Sequence, residues 1–223
     1  MTRSDVTLDV TRGQRIGLGE AVLSDSKTVE QLVTVLRQAD EAGLTMLFTR
    51  LRPEQFSALP APWRQRLQYE EDSRTAFFGD PPPPERPAEI AVVTAGTSDS
   101  RIAREALRTL AFYGHAALEV HDVGVAGLWR LQRRLADIEA HRVVIAVAGM
   151  DGALPTVLAG LVPGLVIAVP ADTGYGIAQR GVTALHSLLA SCAPGLVVVN
   201  IGNGYGAACA ALRVLSYDRP SAS

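Results

Sequence analysis

Ile90-Ala91-Val92-Val93-Thr94-Ala95-Gly96-Thr97-Ser98-Asp99, followed by residues 101–113 and Gly114, is the stretch whose reading decides the fold. Its first five residues are short, apolar and rich in β-branched side chains, the habit of a strand buried on both faces. Small and polar residues interrupt the run at 95–99. Residues 101–113 then place apolar side chains at helical spacing, and Gly114 is a natural stop. The unit reads strand, loop, helix, and it repeats downstream. Strands are predicted over 117–121, 143–148, 166–169 and 196–201, and helices over 128–140, 154–161, 182–191 and 206–215. Apolar strands alternating with helices imply an α/β fold with a parallel sheet in three layers. Ligands of such sheets bind beyond the carboxyl ends of the strands, where the strand order reverses.

Working outward toward the N-terminus, residues 78–87 (FGDPPPPERP) hold five prolines in ten positions. Proline fixes φ and removes an amide donor, so this segment disfavours helix and interior strand and reads as a stiff linker. It separates a small N-terminal α/β domain or arm, 1–77, from a larger domain, 88–223. In the smaller part, Ser26-Lys27-Thr28 precedes Val29, Leu32, Val33, Leu36 and Ala39 at helical spacing, with Gly43 as the stop. Residues 45–49 read as one short strand.

The 223 residues are 48% hydrophobic and 20% charged, which suffices for one good core and leaves room for a small second domain. A net charge of −2 and a sequence pI of about 6.1 give no positive field, so neither nucleic acid nor an anionic membrane is expected as a partner. Any phosphate site must therefore be local. Residues 1–9 are polar, unlike a signal peptide, and the apolar run 143–147 is far too short to span a bilayer, so a cytoplasmic protein is expected. Cys192 and Cys209 are expected to be reduced in that compartment. None of His115, His121, His141 and His186 has a second ligand at metal spacing, and no metal centre is expected.

Five strand-end loops, 94–99, 122–127, 149–155, 170–176 and 200–206, should share one rim. A single glycine loop after a strand means little beyond a tight turn. Five together favour a site. Gly96, Thr97, Ser98 and Asp99 combine close backbone approach, two hydroxyls and the first free amides of a helix, the chemistry that holds a phosphate; Asp99 serves equally well as an N-cap. Asp151, after Gly149 and Met150, reads either as a cap of the next helix or as an acid/base. Cys192, in Ser191-Cys192-Ala193-Pro194-Gly195, follows a helix and reads locally as a buried inert thiol, and Cys209 reads as packing.

These loops, in order, resemble the LarB family of PurE-like carboxylases. The resemblance is carried by Val92-Val93-Thr94-Ala95-Gly96-Thr97-Ser98-Asp99, by His121-Asp122-Val123-Gly124-Val125-Ala126-Gly127-Leu128 and by Val147-Ala148-Gly149-Met150-Asp151-Gly152-Ala153-Leu154-Pro155. It continues through Ile167-Ala168-Val169-Pro170 to Gly174-Tyr175-Gly176. Ser191-Cys192-Ala193-Pro194-Gly195 then leads to Val199-Asn200-Ile201 and Asn203-Gly204-Tyr205-Gly206-Ala207-Ala208. Gly19-Glu20-Ala21-Val22 and Ser26-Lys27-Thr28 extend it weakly into the N-terminal part. PurE itself is a more distant likeness, through Gly96–Asp99 and Ile201-Gly202-Asn203.

The resemblance implies a PurE-like, flavodoxin-like sheet and a reaction on nicotinic acid adenine dinucleotide: carboxylation of the pyridinium ring and hydrolysis of the phosphoanhydride to release AMP. It assigns Cys192 as a covalent nucleophile and Asp151 as acid/base or water-orienting group. It assigns nucleotide binding to Gly96, Thr97, Ser98, Asp99, Asp122, Gly124, Gly149, Met150, Gly152, Pro170, Gly174, Tyr175, Gly176 and Asn203. It implies no tightly bound cofactor, CO2 or bicarbonate as co-substrate, Mg2+ as an optional ion, and a homo-oligomer, by family habit an octamer. Four departures stand out: Asp151 where the family has glutamate, Ala171-Asp172-Thr173 where it has small uncharged residues, Arg180 in place of glycine and Gly202 in place of aspartate. Three alternatives follow: a PurE-like enzyme acting on aminoimidazole ribonucleotide, a paralogue acting on a related nucleotide, and a nucleotide-binding module without catalysis. The first lacks its histidine, since Asp122-Val123-Gly124-Val125 stands where PurE has Ser-Ala-His-Arg. The loops Gly96–Asp99, Asp122–Gly127, Gly149–Gly152 and Pro170–Gly176 are expected to meet in one pocket together with Cys192.

Overall fold

The computed structural model describes residues 6–84 and 87–217; Met1–Asp5, Glu85 and Arg86 of the proline-rich segment, and residues 218–223 lie outside it. The chain divides into two compact units, Met1–Pro83 and Pro84–Ser223.

In the first unit, α1 (Arg12–Ile16), β1 (Ala21–Leu23), α2 (Val29–Glu41), β2 (Met46–Thr49), α3 (Pro53–Ala58), α4 (Ala61–Arg64), β3 (Leu67–Glu70) and β4 (Thr75–Phe78) follow in order. The sheet runs β1-β2-β4-β3, with β1 parallel to β2 and the other pairs antiparallel. Thr28 opens α2 through a capping box, its hydroxyl accepting from Gln31 N–H while the Gln31 side chain accepts from Thr28 N–H. The predicted apolar face is the one that is buried, Leu32, Leu36 and Ala39 packing with Met46, Phe48, Ala76 and Phe78. Among the described residues of this unit, three of the four strands and three of the four helices have no counterpart in the sequence reading. Each is only three to six residues long, too short for a period to register.

The second unit begins with β5 (Ile90–Thr94), α5 (Ser100–Phe112), β6 (Ala117–Val120), α6 (Leu128–Glu139) and β7 (Val143–Ala148). It continues with α7 (Ala153–Ala159), β8 (Leu165–Pro170), α8 (Val182–Leu189), β9 (Leu196–Val198) and α9 (Gly204–Tyr217). All five strands are parallel, in the order β6-β5-β7-β8-β9. This is the doubly wound, flavodoxin-type arrangement. Ala91, Val93, Val144, Ala146 and Ala148 pack with Leu131 and Ile138 of α6 and Leu154 and Leu158 of α7. The alternate residues Val92, Ile145 and Ile167 are equally buried and belong to the opposite face, where α5 and α9 lie. Those two helices cross closely: a Cβ on Gly204 would lie 2.3 Å from the carbonyl oxygen of Ile102. The predicted strand 196–201 is shorter than expected, because after Val198 the chain turns, with Gly202 N–H bonding to Pro170 C=O.

Candidate active site

The strand order reverses between β5 and β7, and four strand-end loops meet there around a cavity of about 560 Å³. That size falls within the range of roughly 300–1,000 Å³ common to small-molecule sites. The loop after β5 contributes Ala95, Gly96, Ser98 and Asp99, the loop after β6 Gly124, Val125 and Ala126, the end of β7 with its loop Ala148–Asp151, and the loop after β8 Thr173–Tyr175; Ala153 and Leu154 of α7 complete the wall.

Backbone contacts fasten the loops together. Gly124 N–H donates to Ala95 C=O at 2.8 Å, and a Cβ at Gly124 would lie 2.7 Å from that oxygen, so only glycine permits the contact. Asp122 N–H donates to Thr94 Oγ1 at 3.2 Å. Asp122 and Met150, both beside strand ends, hold left-handed backbone at φ 55° and 54°. Such conformations cost a non-glycine residue about 1 kcal/mol or more and gather at functional rims.

Asp99 is buried at 3% exposure and both of its oxygens are engaged. Gly96 N–H donates to Oδ2 at 2.9 Å and Thr173 Oγ1 to Oδ1 at 2.7 Å. Burial pushes this carboxyl above its ordinary range, against the pull of the two hydrogen bonds, and the neighbouring charge of Asp172 adds to the rise. Asp99 thus folds back on its own loop and makes no side-chain cap of α5. Asp151 is exposed, with one oxygen accepting from Ala153 N–H at 3.3 Å. That hydrogen bond ties it to the first turn of α7, and Asp151 also stands in the cavity wall. Among the described residues no Lys, Arg or His belongs to the cavity wall. An anion there must rely on amides and on the hydroxyls of the 95–99 loop. With Asp99 engaged, a magnesium ion carried in by phosphates would meet Asp151 alone as a free carboxylate, which suits an ion held chiefly by its substrate.

Of the fourteen residues assigned to nucleotide binding, Gly96, Ser98, Asp99, Gly124, Gly149, Met150, Gly174 and Tyr175 line the cavity. Thr97 is exposed beside it. Asp122 turns instead to an ion pair with Arg130. Gly152 holds φ 65° at the start of α7, packed under Leu188, while Pro170 and Gly176 flank the last loop outside the wall. Asn203 caps α9, its Oδ1 accepting from Gly206 N–H at 2.8 Å. Thr173, and the apolar side chains Val125 and Leu154, line the cavity without having been singled out as binding residues. Nothing local marks a hydroxyl that bonds 74 residues back along the chain.

Cys192 requires two corrections. It is exposed, not buried as its local sequence suggests. It also does not share the cavity: it lies on the loop entering β9, where Gly195 C=O accepts from Val166 N–H at the start of β8. The cavity stands at the other end of that strand, and from Val166 to Pro170 a strand rises roughly 13 Å. Its neighbour Ser191 accepts a hydrogen bond from Thr156 Oγ1 at 3.0 Å, midway along α7. Cys209 is half-buried on α9.

Two family patterns match this chain: AIR carboxylase over residues 89–223, and the LarB/PurE-like N-terminal domain over residues 3–80. An uncharacterised protein of Methanocaldococcus jannaschii is 35% identical over 207 residues, covering 90% of this chain and 80% of its own length. The crystal structure of a variant PurE2 from Treponema denticola aligns with 58% of this chain and 80% of its own, at 22% identity and a TM-score of 0.49.

Proposed function

This chain belongs to the AIR carboxylase family and carries a LarB/PurE-like N-terminal domain, and from that footing we propose that it carboxylates the ring of a pyridinium nucleotide, nicotinic acid adenine dinucleotide being the first substrate to test. The observation that carries the reading is the cavity at the strand-order reversal, where amides, hydroxyls and one free carboxylate face an apolar floor suited to a flat ring.

A ring carbon bearing hydrogen in a pyridinium is not a nucleophile, so electrons must be supplied before it attacks CO2. A thiolate adding to the ring does so: the carbon–sulfur bond breaks the aromaticity and leaves an enamine-type carbon, which forms the new bond to CO2. Loss of the proton from that carbon and departure of the thiolate restore the ring, for a net exchange of a ring hydrogen for a carboxylate. The thiolate in this proposal is Cys192, and its place at the far edge of the sheet means that it must reach the cavity of a second copy. A homo-oligomer, with an octamer as the family's habit, is therefore part of the proposal. Asp151 orients a water for attack on the phosphoanhydride, which adds H2O across the P–O–P bridge and yields AMP and a mononucleotide. Ser98 and Thr97 hold a phosphate.

A reading in which the same cavity acts on aminoimidazole ribonucleotide needs no thiol, and the remoteness of Cys192 favours it. Against it, no histidine lines the wall among the described residues. Incubation of the full chain with 13C-bicarbonate and either nucleotide, followed by mass spectrometry, separates the two. Labelled carboxylate on the pyridinium product together with AMP supports the proposal; label on the imidazole alone replaces it.

A further inference from the structure

Residues 171–176 leave β8 and cross the end of β7 as a strap. Ala171 N–H donates to Ala148 C=O at 2.8 Å, and Met150 N–H donates to Thr173 C=O at 3.2 Å. The Thr173 hydroxyl then reaches the loop after β5 and donates to Asp99 at 2.7 Å. Arg101 of α5 closes a third tie with the Asp172 carboxylate, at 2.9 and 3.0 Å. That ion pair is 36% and 50% exposed and contributes little by itself. The hydrogen bond to the buried Asp99 is the tie that matters. Gly149 shows how tightly Thr173 is seated: a Cβ there would lie 2.1 Å from Thr173 Oγ1 and 2.5 Å from its carbonyl oxygen. Beyond Thr173 the chain turns to the surface, with Tyr175 78% and Ile177 94% exposed.

We infer that Thr173 is a positioning residue of this cavity, joining the loops after β5, β7 and β8 and holding the Asp99 carboxylate in place so that the 95–99 loop presents Ser98 to the ligand. The inference rests on the cavity being the ligand site, as proposed above.

Besides its neutral donors, Asp99 feels the charge of Asp172 on the strap, itself balanced by Arg101 of α5; Asp151 stands in the same cavity wall. Thr173 stabilises the ionised form of Asp99, so its removal must raise the pH at which Asp99 takes up a proton.

The test compares Thr173→Val, which keeps the shape and removes the hydroxyl, with Thr173→Ser, which keeps the hydroxyl. In the full chain, the Asp99 carboxyl followed by 13C NMR is expected to titrate about one pH unit higher in Thr173→Val and to return in Thr173→Ser. The Met150 amide should exchange faster in the valine variant only. With nicotinic acid adenine dinucleotide as the probe, KM should rise about tenfold with a smaller change in kcat, and serine should rescue it. An unchanged Asp99 titration in Thr173→Val overturns the inference, and so does a KM that serine does not rescue. The NMR and exchange results do not depend on turnover. If they come out as expected while no carboxylated product forms, the proposed reaction fails and the positioning role stands.

Discussion

The two edges of the five-stranded sheet are built differently. At the carboxyl edge, four loops of glycine, alanine and short polar residues are tied by backbone hydrogen bonds around a cavity. At the amino edge the exposed Cys192 sits between the end of α8 and the start of β9, with Gly195 at φ 78° just before the strand. The first edge holds the cavity, and the second carries the exposed cysteine that the proposed mechanism uses as its nucleophile. On the proposed mechanism, the carboxylation brings the carboxyl edge of one copy to the amino edge of another.

The contrast breaks most severely at Gly149. Gly149→Ala places a methyl group 2.1 Å from Thr173 Oγ1, and the strap must move to admit it. Nucleotide affinity measured by calorimetry is expected to fall beyond detection, with a stability loss of about 1–3 kcal/mol in denaturant unfolding. Retained affinity would show that the ligand site lies elsewhere. The amino edge responds in the opposite way. Because Cys192 is exposed, Cys192→Ala should leave the unfolding midpoint unchanged and nucleotide affinity within about twofold, while labelled bicarbonate no longer enters product. Full carboxylation by this variant would remove the covalent mechanism.

Within the carboxyl edge, Asp151→Ala should reduce AMP release more than ring carboxylation, both products being counted from the same reaction. Asp151→Glu should raise AMP release, since roughly 1 Å of reach is worth about 100-fold where positioning limits the rate. Equal losses of both products would assign Asp151 to binding. The smallest of these effects is expected from the double variant Thr97→Ala and Ser98→Ala, which removes two hydroxyls but leaves the backbone amides: about tenfold weaker nucleotide binding. Unchanged affinity would remove the phosphate assignment.

The parallel sheet was legible because strands such as Val143–Ala148 are apolar without interruption, and because helices and strands alternate from residue 90 onward. The rim was legible too, since strand ends must gather on one edge, and Gly96, Gly124, Gly149 and Gly174 all stand in the cavity wall. Cys192 misled for the same reason. Its loop carries the composition of a strand-end loop, yet it precedes β9 where the others follow their strands, and adjacency in a family signature carries no information about which edge or which copy supplies a residue. The N-terminal sheet escaped because β3 and β4 form by antiparallel pairing of two four-residue strands, a long-range choice that no short window records. Thr173 escaped likewise, its partner being on a different loop.

The central claim, that cavity and nucleophile come from different copies, is tested most directly by mixing two inactive variants. Cys192→Ala keeps the cavity and Gly149→Ala keeps the thiol. Co-expressed and purified as one assembly, they should recover labelled ring carboxylation that neither shows alone, because cavities of the first would meet cysteines of the second. If the mixed assembly forms and stays inactive while the wild-type chain carboxylates, the two-edge account is contradicted.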